Sequence, residues 1–198
     1  RLPKPISYRS TLGWQLAVTS IALAWLGMLR FIELQRLQLC SIQWGHTGAI
    51  LTVRQSKADQ GGITTHSTLR YSQDGFCLLS WIRNNLLDIH GGNITPSPSC
   101  QASSQPGWHC SSCRYLLPTL RNDGIEPFKQ QAYTTAVRSL KRAFKSISAA
   151  GFIAPASVQQ ISFSSCRRGG ATTASLGGAR IGLTEEAGRW GQAGRKRR

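Results

Sequence analysis

The sequence predicts an α+β domain, mainly α-helical, with a small antiparallel three-stranded sheet. Apolar residues recur at helical spacing along most of the 198 residues, whereas strand-like alternation is confined to residues 37–69. Hydrophobic residues make up 40% of the chain, which supports a packed core and argues against wholesale disorder. The length suits one full domain and is too short for two large ones.

The first helix is predicted from a broad apolar face between Trp14 and Leu29. Residues 11–29 carry no charge, which raises the alternative of a membrane span. Glutamine, threonine, serine and glycine interrupt this stretch, and the amphipathic RFIELQRLQL follows it directly. We therefore favour a buried core helix and predict no membrane partner.

Three short strands are predicted next, at residues 37–42, 49–53 and 63–69. The segment KADQGG at 57–62 joins the last two, and its Asp and Gly residues suit a tight turn. Adjacent strands joined by a tight turn pair in an antiparallel arrangement, so these segments predict a small antiparallel sheet.

Four helices are predicted in the rest of the chain, at 76–89, 131–150, 162–176 and 183–190. Between the first two, Gly, Ser and Pro predict a loop insertion of about 91–114.

The predicted organisation is a residual linker at 1–10, one domain over 11–190, and a disordered basic tail at 191–198.

The chain has 24 Lys and Arg against 8 Asp and Glu, a net charge of +16. An excess of this size favours a polyanionic partner, most often nucleic acid, although charge alone leaves a ribosomal or membrane-surface protein open. A basic stripe on helix 131–150 is either a solvated face or a contact to the DNA backbone, and we assign it to DNA. The stripe comprises Arg138, Lys141, Arg142 and Lys145.

Six cysteines show no pattern typical of secreted disulfide proteins, which favours reduced thiols and an intracellular location. His109, Cys110 and Cys113 form an H-C-x-x-C motif, and Cys100 is a possible fourth zinc ligand. A polar loop that happens to contain cysteines is the favoured interpretation. We therefore predict no metal site and no cofactor.

Four segments stand in a specific order: GMLRFIEL (27–34), VRQSKADQGG (53–62), SFSSCRRGGAT (162–172) and AGRWGQ (187–192). In order and spacing they resemble the catalytic domain of the tyrosine recombinase, or phage-integrase, family, and the resemblance covers roughly 11–190. The S-K-A-D-Q, R-R-G-G-A-T and G-R-W segments look most like recombinases of eukaryotic mobile elements, such as DIRS-like and Crypton-like transposons.

This resemblance implies the DNA breaking-rejoining enzyme fold, with double-stranded DNA as partner and assembly as dimers or tetramers on it. It implies site-specific DNA recombination or integration, and a nuclear location in a eukaryote. By resemblance, Arg30 and Arg167 grip the non-bridging oxygens of the attacked phosphate, where planar, permanently charged guanidinium groups suit the transition state. Glu33 is expected to orient an arginine, and Arg168 to contact DNA.

The resemblance further implies that Lys57, on a hairpin turn, is the general acid for the leaving 5′-oxygen. Trp190 stands where the family has His or Trp, and its indole N–H would donate to the phosphate. Each residue also has an ordinary interpretation: Arg30 as an arginine closing a helix, Lys57 as a solvated turn lysine, Trp190 as a core aromatic, and Arg167 as a nonspecific phosphate contact.

Two departures from the family are visible. Ser164 replaces the histidine of H-x-x-R, and serine cannot act as a general base near neutral pH. The nucleophilic tyrosine should follow Trp190 closely, yet no tyrosine comes after Tyr133. We expect the chain as written to form no covalent adduct with DNA. It is then a fragment of an active recombinase, a decayed element, or a noncatalytic DNA-binding protein derived from one.

Overall fold

The computed structural model describes residues 8–53, 65–72, 75–100, 110–121 and 124–188. Its architecture is mixed α/β, and the predicted preponderance of helices over strands is confirmed. The elements are α1 (Tyr8–Leu26), α2 (Phe31–Arg36), β1 (Ile42–Trp44), β2 (Gly48–Val53), β3 (Thr65–Arg70), α3 (Leu78–Ile89), β4 (Pro118–Leu120), β5 (Ile125–Gln130), α4 (Tyr133–Ala149), α5 (Pro155–Gln160), α6 (Phe163–Leu176) and α7 (Ile181–Gly188).

The predicted three-stranded antiparallel sheet is confirmed, with strand order β1-β2-β3. Ile42 pairs with Leu51 and Val53 pairs with Thr65. The position predicted for the first strand, 37–42, was wrong except at Ile42: β1 spans Ile42–Trp44, and Leu39–Ser41 forms a 3₁₀ turn. Leu39 donates its N–H to the carbonyl of Arg114 at 3.0 Å, so this stretch is bonded to the segment after the C-x-x-C motif rather than to the sheet.

Helix α1 is the centre of the core, as predicted, and it packs against α3, α4 and α6. Its buried side chains include Leu12, Leu16 and Leu23. It begins at Tyr8, so part of the predicted linker belongs to the first helix. Across the described ranges, no helix has the length and apolarity needed to cross a membrane.

Three elements were not predicted: the short helix α2, the β4–β5 hairpin and helix α5. Strand β5 alternates neither in polarity nor in burial, and Pro127 interrupts its sequence IEPFKQ, so the usual strand signal is missing. Helix α5 is a single short turn that starts with Pro155 at its first position, where proline is well tolerated.

Candidate nucleic-acid interface

The turn after α1 determines where Arg30 lies. Leu29 donates its N–H to the Ala24 carbonyl at 3.1 Å, and Met28 donates to the Trp25 carbonyl at 3.3 Å. This is the Schellman pattern, and Met28 takes the left-handed conformation, with φ of 47°, that a glycine usually adopts there. The chain reverses sharply and presents Arg30 as the residue that caps α2.

Gly27 allows the sheet to approach this turn closely. A Cβ atom on Gly27 would lie 3.1 Å from the Leu23 carbonyl oxygen and 3.2 Å from Cδ2 of Leu51. Leu51 belongs to β2, which ends at Val53 and leads toward Lys57. The strand that precedes Lys57 therefore packs beside the turn that precedes Arg30.

Glu33 orients Arg30, and this predicted contact is confirmed. Its carboxylate accepts the backbone N–H of Arg30 at 2.8 Å and Nη1 of Arg30 at 3.3 Å. The Glu33 side chain is fully buried, whereas 24% of the Arg30 side chain is exposed. The guanidinium group is thus held by Glu33, in a side chain that is partly exposed.

Helix α6 docks on the junction between α1 and α2. The Phe163 ring packs on the Phe31 ring with centroids 4.8 Å apart. Two turns later, a Cβ atom on Gly170 would clash with the Trp25 carbonyl oxygen and lie 3.0 Å from its carbonyl carbon. Arg167 comes one turn after Phe163, on the same face of α6, and only 8% of it is exposed.

This docking relates the two predicted phosphate ligands. Arg30 lies in the chain between Trp25 and Phe31, the two residues on which α6 packs. Arg167 lies in α6 between the two residues that make these contacts. Arg30 and Arg167 therefore belong to segments that meet at one helix junction, although 137 positions separate them in the sequence.

The other predicted residues have different outcomes. Ser164 and Arg168 are one turn apart on α6, and both are exposed. Lys57 and Trp190 lie outside the described residues, as does the predicted turn at 57–62, so their roles stay predictions. Burial raises the pKa of the Cys166 thiol to about 11, so this neighbour of Arg167 is protonated and a poor nucleophile at neutral pH.

Sequence reasoning gave Tyr133 no part in this junction. It is the first residue of α4, and its ring meets Phe31 edge-on at 5.0 Å. Its exposed fraction is 57%. No local signal could have found this contact, because it joins residues far apart in the sequence.

The predicted basic stripe occupies the outer face of α4. By helical geometry its four members fall within an arc of about 100°, opposite the buried residues of the helix. The helix contains no acidic residue that could pair with them at helical spacing. Two members, Arg138 and Arg142, also line a groove of about 510 Å³ beside Trp14 of α1.

Four cysteines come together in the described part of the chain: Cys40, Cys100, Cys110 and Cys113. Their sulfur atoms all lie within 4.8 Å of one another. Burial and the adjacent sulfurs raise the pKa of the Cys113 thiol above its usual range. The prediction of no metal site did not consider Cys40, and His109 lies outside the described residues.

No protein-family model and no curated protein matches the chain. The resemblance to tyrosine recombinases therefore depends on the four sequence segments themselves, and function has to be argued from the geometry around Arg30 and Arg167.

Proposed function

We propose that this chain is a DNA-binding domain of the tyrosine recombinase type, in which Arg30 and Arg167 hold one backbone phosphate of double-stranded DNA. The observation that supports the proposal is the docking of α6 on the α1–α2 junction, because its contacts flank Arg30 on one side and Arg167 on the other. The process it serves is site-specific recombination or integration.

The chemistry follows from what the two guanidinium groups offer. Each is planar, permanently charged and able to donate two parallel hydrogen bonds to phosphate oxygens. Arg167 is buried and Arg30 is partly buried, so a phosphate between them would lie in surroundings less polar than water, where opposite charges attract more strongly. Glu33 fixes the direction of the Arg30 group before DNA arrives.

The remaining roles in the proposal come from the resemblance. By the resemblance, Lys57 would protonate the 5′-oxygen that leaves when a tyrosine hydroxyl attacks the phosphate, and Trp190 would donate its indole N–H to that phosphate. No tyrosine follows Tyr133 in this sequence, so for the chain as given we propose phosphate binding and no cleavage. Ser164, exposed in the first turn of α6, supplies a hydrogen bond where the family has histidine. Arg168 and the α4 stripe contact neighbouring phosphates.

The α4 stripe favours one alternative, a noncatalytic DNA-binding protein derived from a mobile-element recombinase. A basic face on a helix that contains no acidic residue binds any duplex through the charge of the DNA backbone and needs no specifically bound phosphate. The two functions differ in how binding is distributed over the DNA. In the recombinase-type site, contacts to one phosphate supply much of the binding free energy. In the alternative, contacts to many phosphates share it.

Replacing single phosphates by neutral methylphosphonates distinguishes the two proposed functions. Duplexes selected from a random library for binding would be substituted one position at a time, and the Kd measured by fluorescence anisotropy. We expect one position to weaken binding roughly tenfold or more, the effect of losing hydrogen bonds between charged groups. Small and uniform effects at every position would support the noncatalytic alternative, and absence of DNA binding would refute both.

The stripe itself gives a second prediction. The double change Arg138→Gln and Arg142→Gln is expected to weaken binding to all duplexes roughly tenfold. It should also make the slope of log K against log salt shallower by up to about 1.8, because two phosphate contacts are lost. Titrations at several salt concentrations measure both quantities.

The β4–β5 hairpin offers a control with the same loss of charge. Arg121 and Lys129 lie 2.6 Å and 3.8 Å from the Glu126 carboxylate, which already neutralises part of their charge. The double change Arg121→Gln and Lys129→Gln should affect binding much less. Equal effects of the two doubles would mean that net charge alone governs binding and that α4 is not the contact surface.

A further inference from the structure

We propose that Cys40, Cys100, Cys110 and Cys113 form a structural zinc site. Three separate parts of the chain supply the ligands: the 3₁₀ turn before β1, the end of the segment after α3, and the turn that leads to Tyr115. The proposal goes beyond DNA binding and does not depend on it.

The distances between the sulfur atoms suit a tetrahedral metal. Zinc–thiolate bonds of about 2.3 Å require sulfur atoms about 3.8 Å apart at the corners of a tetrahedron. The Cys100 and Cys110 sulfurs are 3.6 Å apart, and no pair of the four exceeds 4.8 Å. None of the four cysteines forms a disulfide bond.

The backbone around the ligands is held in place by Gln38, which is 2% exposed. Its side-chain Nε2 donates to the carbonyls of Cys110 at 2.6 Å and Cys113 at 2.8 Å. Its Oε1 accepts the N–H of Cys110 at 2.8 Å. Because Gln38 is two residues before Cys40, one buried amide fixes the C-x-x-C turn beside the segment that carries the first ligand.

Main-chain hydrogen bonds also join the segment that precedes Cys40 to the residues that follow Cys113. Leu39 donates its N–H to the Arg114 carbonyl at 3.0 Å, and Leu116 donates to the Leu37 carbonyl at 2.8 Å. The ligand segments are therefore positioned by protein contacts, which lowers the entropy lost when a metal binds.

The ligand chemistry selects the metal class. Among the residues that the structure describes, the cluster offers four thiolates, a ligand set that suits zinc in a closed, structural site with no position left for substrate. Zn²⁺ replaces the protons of four thiols, so binding releases four protons and leaves a centre of net charge −2. Cys110 and Cys113 are buried, whereas Cys40 and Cys100 are partly exposed and give the ion a path of entry.

The metal would connect the predicted loop insertion to the sheet. Cys100, Cys110 and Cys113 lie in the insertion, whereas Cys40 directly precedes β1. A metal that cross-links a long loop to the rest of a small domain in this way stabilises the folded state.

Metal analysis of the full chain, purified under reducing conditions without chelator, tests the site. We expect about one zinc ion per chain, and loss of it in Cys40→Ser and in Cys113→Ser. Cys77→Ser is the matched control and should retain zinc, since Cys77 lies outside the cluster, beside the backbone of Ser72. Zinc that survives in Cys40→Ser would overturn this ligand set.

Cobalt titration of the metal-free wild-type chain is the second measurement, because a serine variant that fails to fold would also lose zinc. Tetrahedral Co²⁺ bound by four thiolates gives intense visible bands and sulfur-to-metal charge transfer, and zinc should displace it. A pale octahedral spectrum would overturn the proposal. So would mass spectrometry showing disulfides among the four cysteines, or four free thiols without metal, in the folded protein.

Discussion

Replacing Gly170 by alanine is expected to lower the free energy of unfolding by about 3 kcal/mol. Helix propensity alone predicts the opposite sign, since alanine is favoured over glycine by about 1 kcal/mol inside a helix. The new methyl group would overlap the Trp25 carbonyl oxygen, and backbone on both sides leaves no room to yield. Thermal and urea denaturation should show a fall in Tm of roughly 6–12 °C.

Two other glycines serve as controls for this prediction. A Cβ atom on Gly182 of α7 would meet nothing within 4 Å, so Gly182→Ala should be neutral or slightly stabilising. A Cβ atom on Gly169 would lie 2.7 Å from the far edge of the Trp25 ring, which can move aside, so Gly169→Ala should cost less than Gly170→Ala. Wild-type stability in Gly170→Ala would show that α6 does not dock on Trp25, and the shared location of the two arginines would no longer be supported.

The longer helices and the two longer strands of the sheet were predictable because local periodicity encodes them. Helix α3 has an alternation of buried and exposed positions that only a 3.6-residue period explains, with Leu79, Ile82 and Leu86 inward. The β4–β5 hairpin was not predictable in this way. In β5 the half-buried residues come first and the exposed ones follow, so no period-2 pattern exists to be recognised.

The two sites were only partly predictable, since both depend on contacts between distant residues. Arg30 and Arg167 were selected through the resemblance of their segments, and their common junction follows from the docking of α6. The sequence does carry one local signal for that docking. Adjacent glycines at 169 and 170 weaken a helix, and such a cost is usually associated with close approach of another backbone.

The cysteine cluster, too, depends on a contact between residues far apart in the sequence. The C-x-x-C pair is visible in the sequence, but Cys40 lies in a separate apolar stretch and resembles an ordinary buried thiol. Long-range contacts bring Cys40 to the group, among them that of Gln38 with the C-x-x-C turn, across a separation of 72 residues.

Changing Arg167 to lysine is expected to weaken binding to a selected duplex by about 10- to 100-fold, which corresponds to about 1.5–3 kcal/mol for hydrogen bonds between charged groups. Lysine keeps the positive charge but loses the planar fork that grips two oxygens at once. The slope of log K against log salt should stay unchanged, since the count of neutralised phosphates is the same. Anisotropy titrations at several salt concentrations test both statements.

Methylphosphonate substitution in the DNA tests whether the weakened binding of the lysine variants arises at one particular phosphate. In Arg167→Lys, and equally in Arg30→Lys, the single phosphate whose methylphosphonate substitution weakens wild-type binding should lose its special sensitivity. Arg121→Lys is the matched control: this exposed arginine pairs with Glu126, lies outside the proposed DNA surface and should bind like wild type. Thermal denaturation of each variant separates lost binding from lost folding, which matters because Arg167 is buried. If the sensitive phosphate persists in both lysine variants, two arginines gathered at one helix junction are a structural feature of α6 packing, and the DNA contact lies elsewhere on the basic surface.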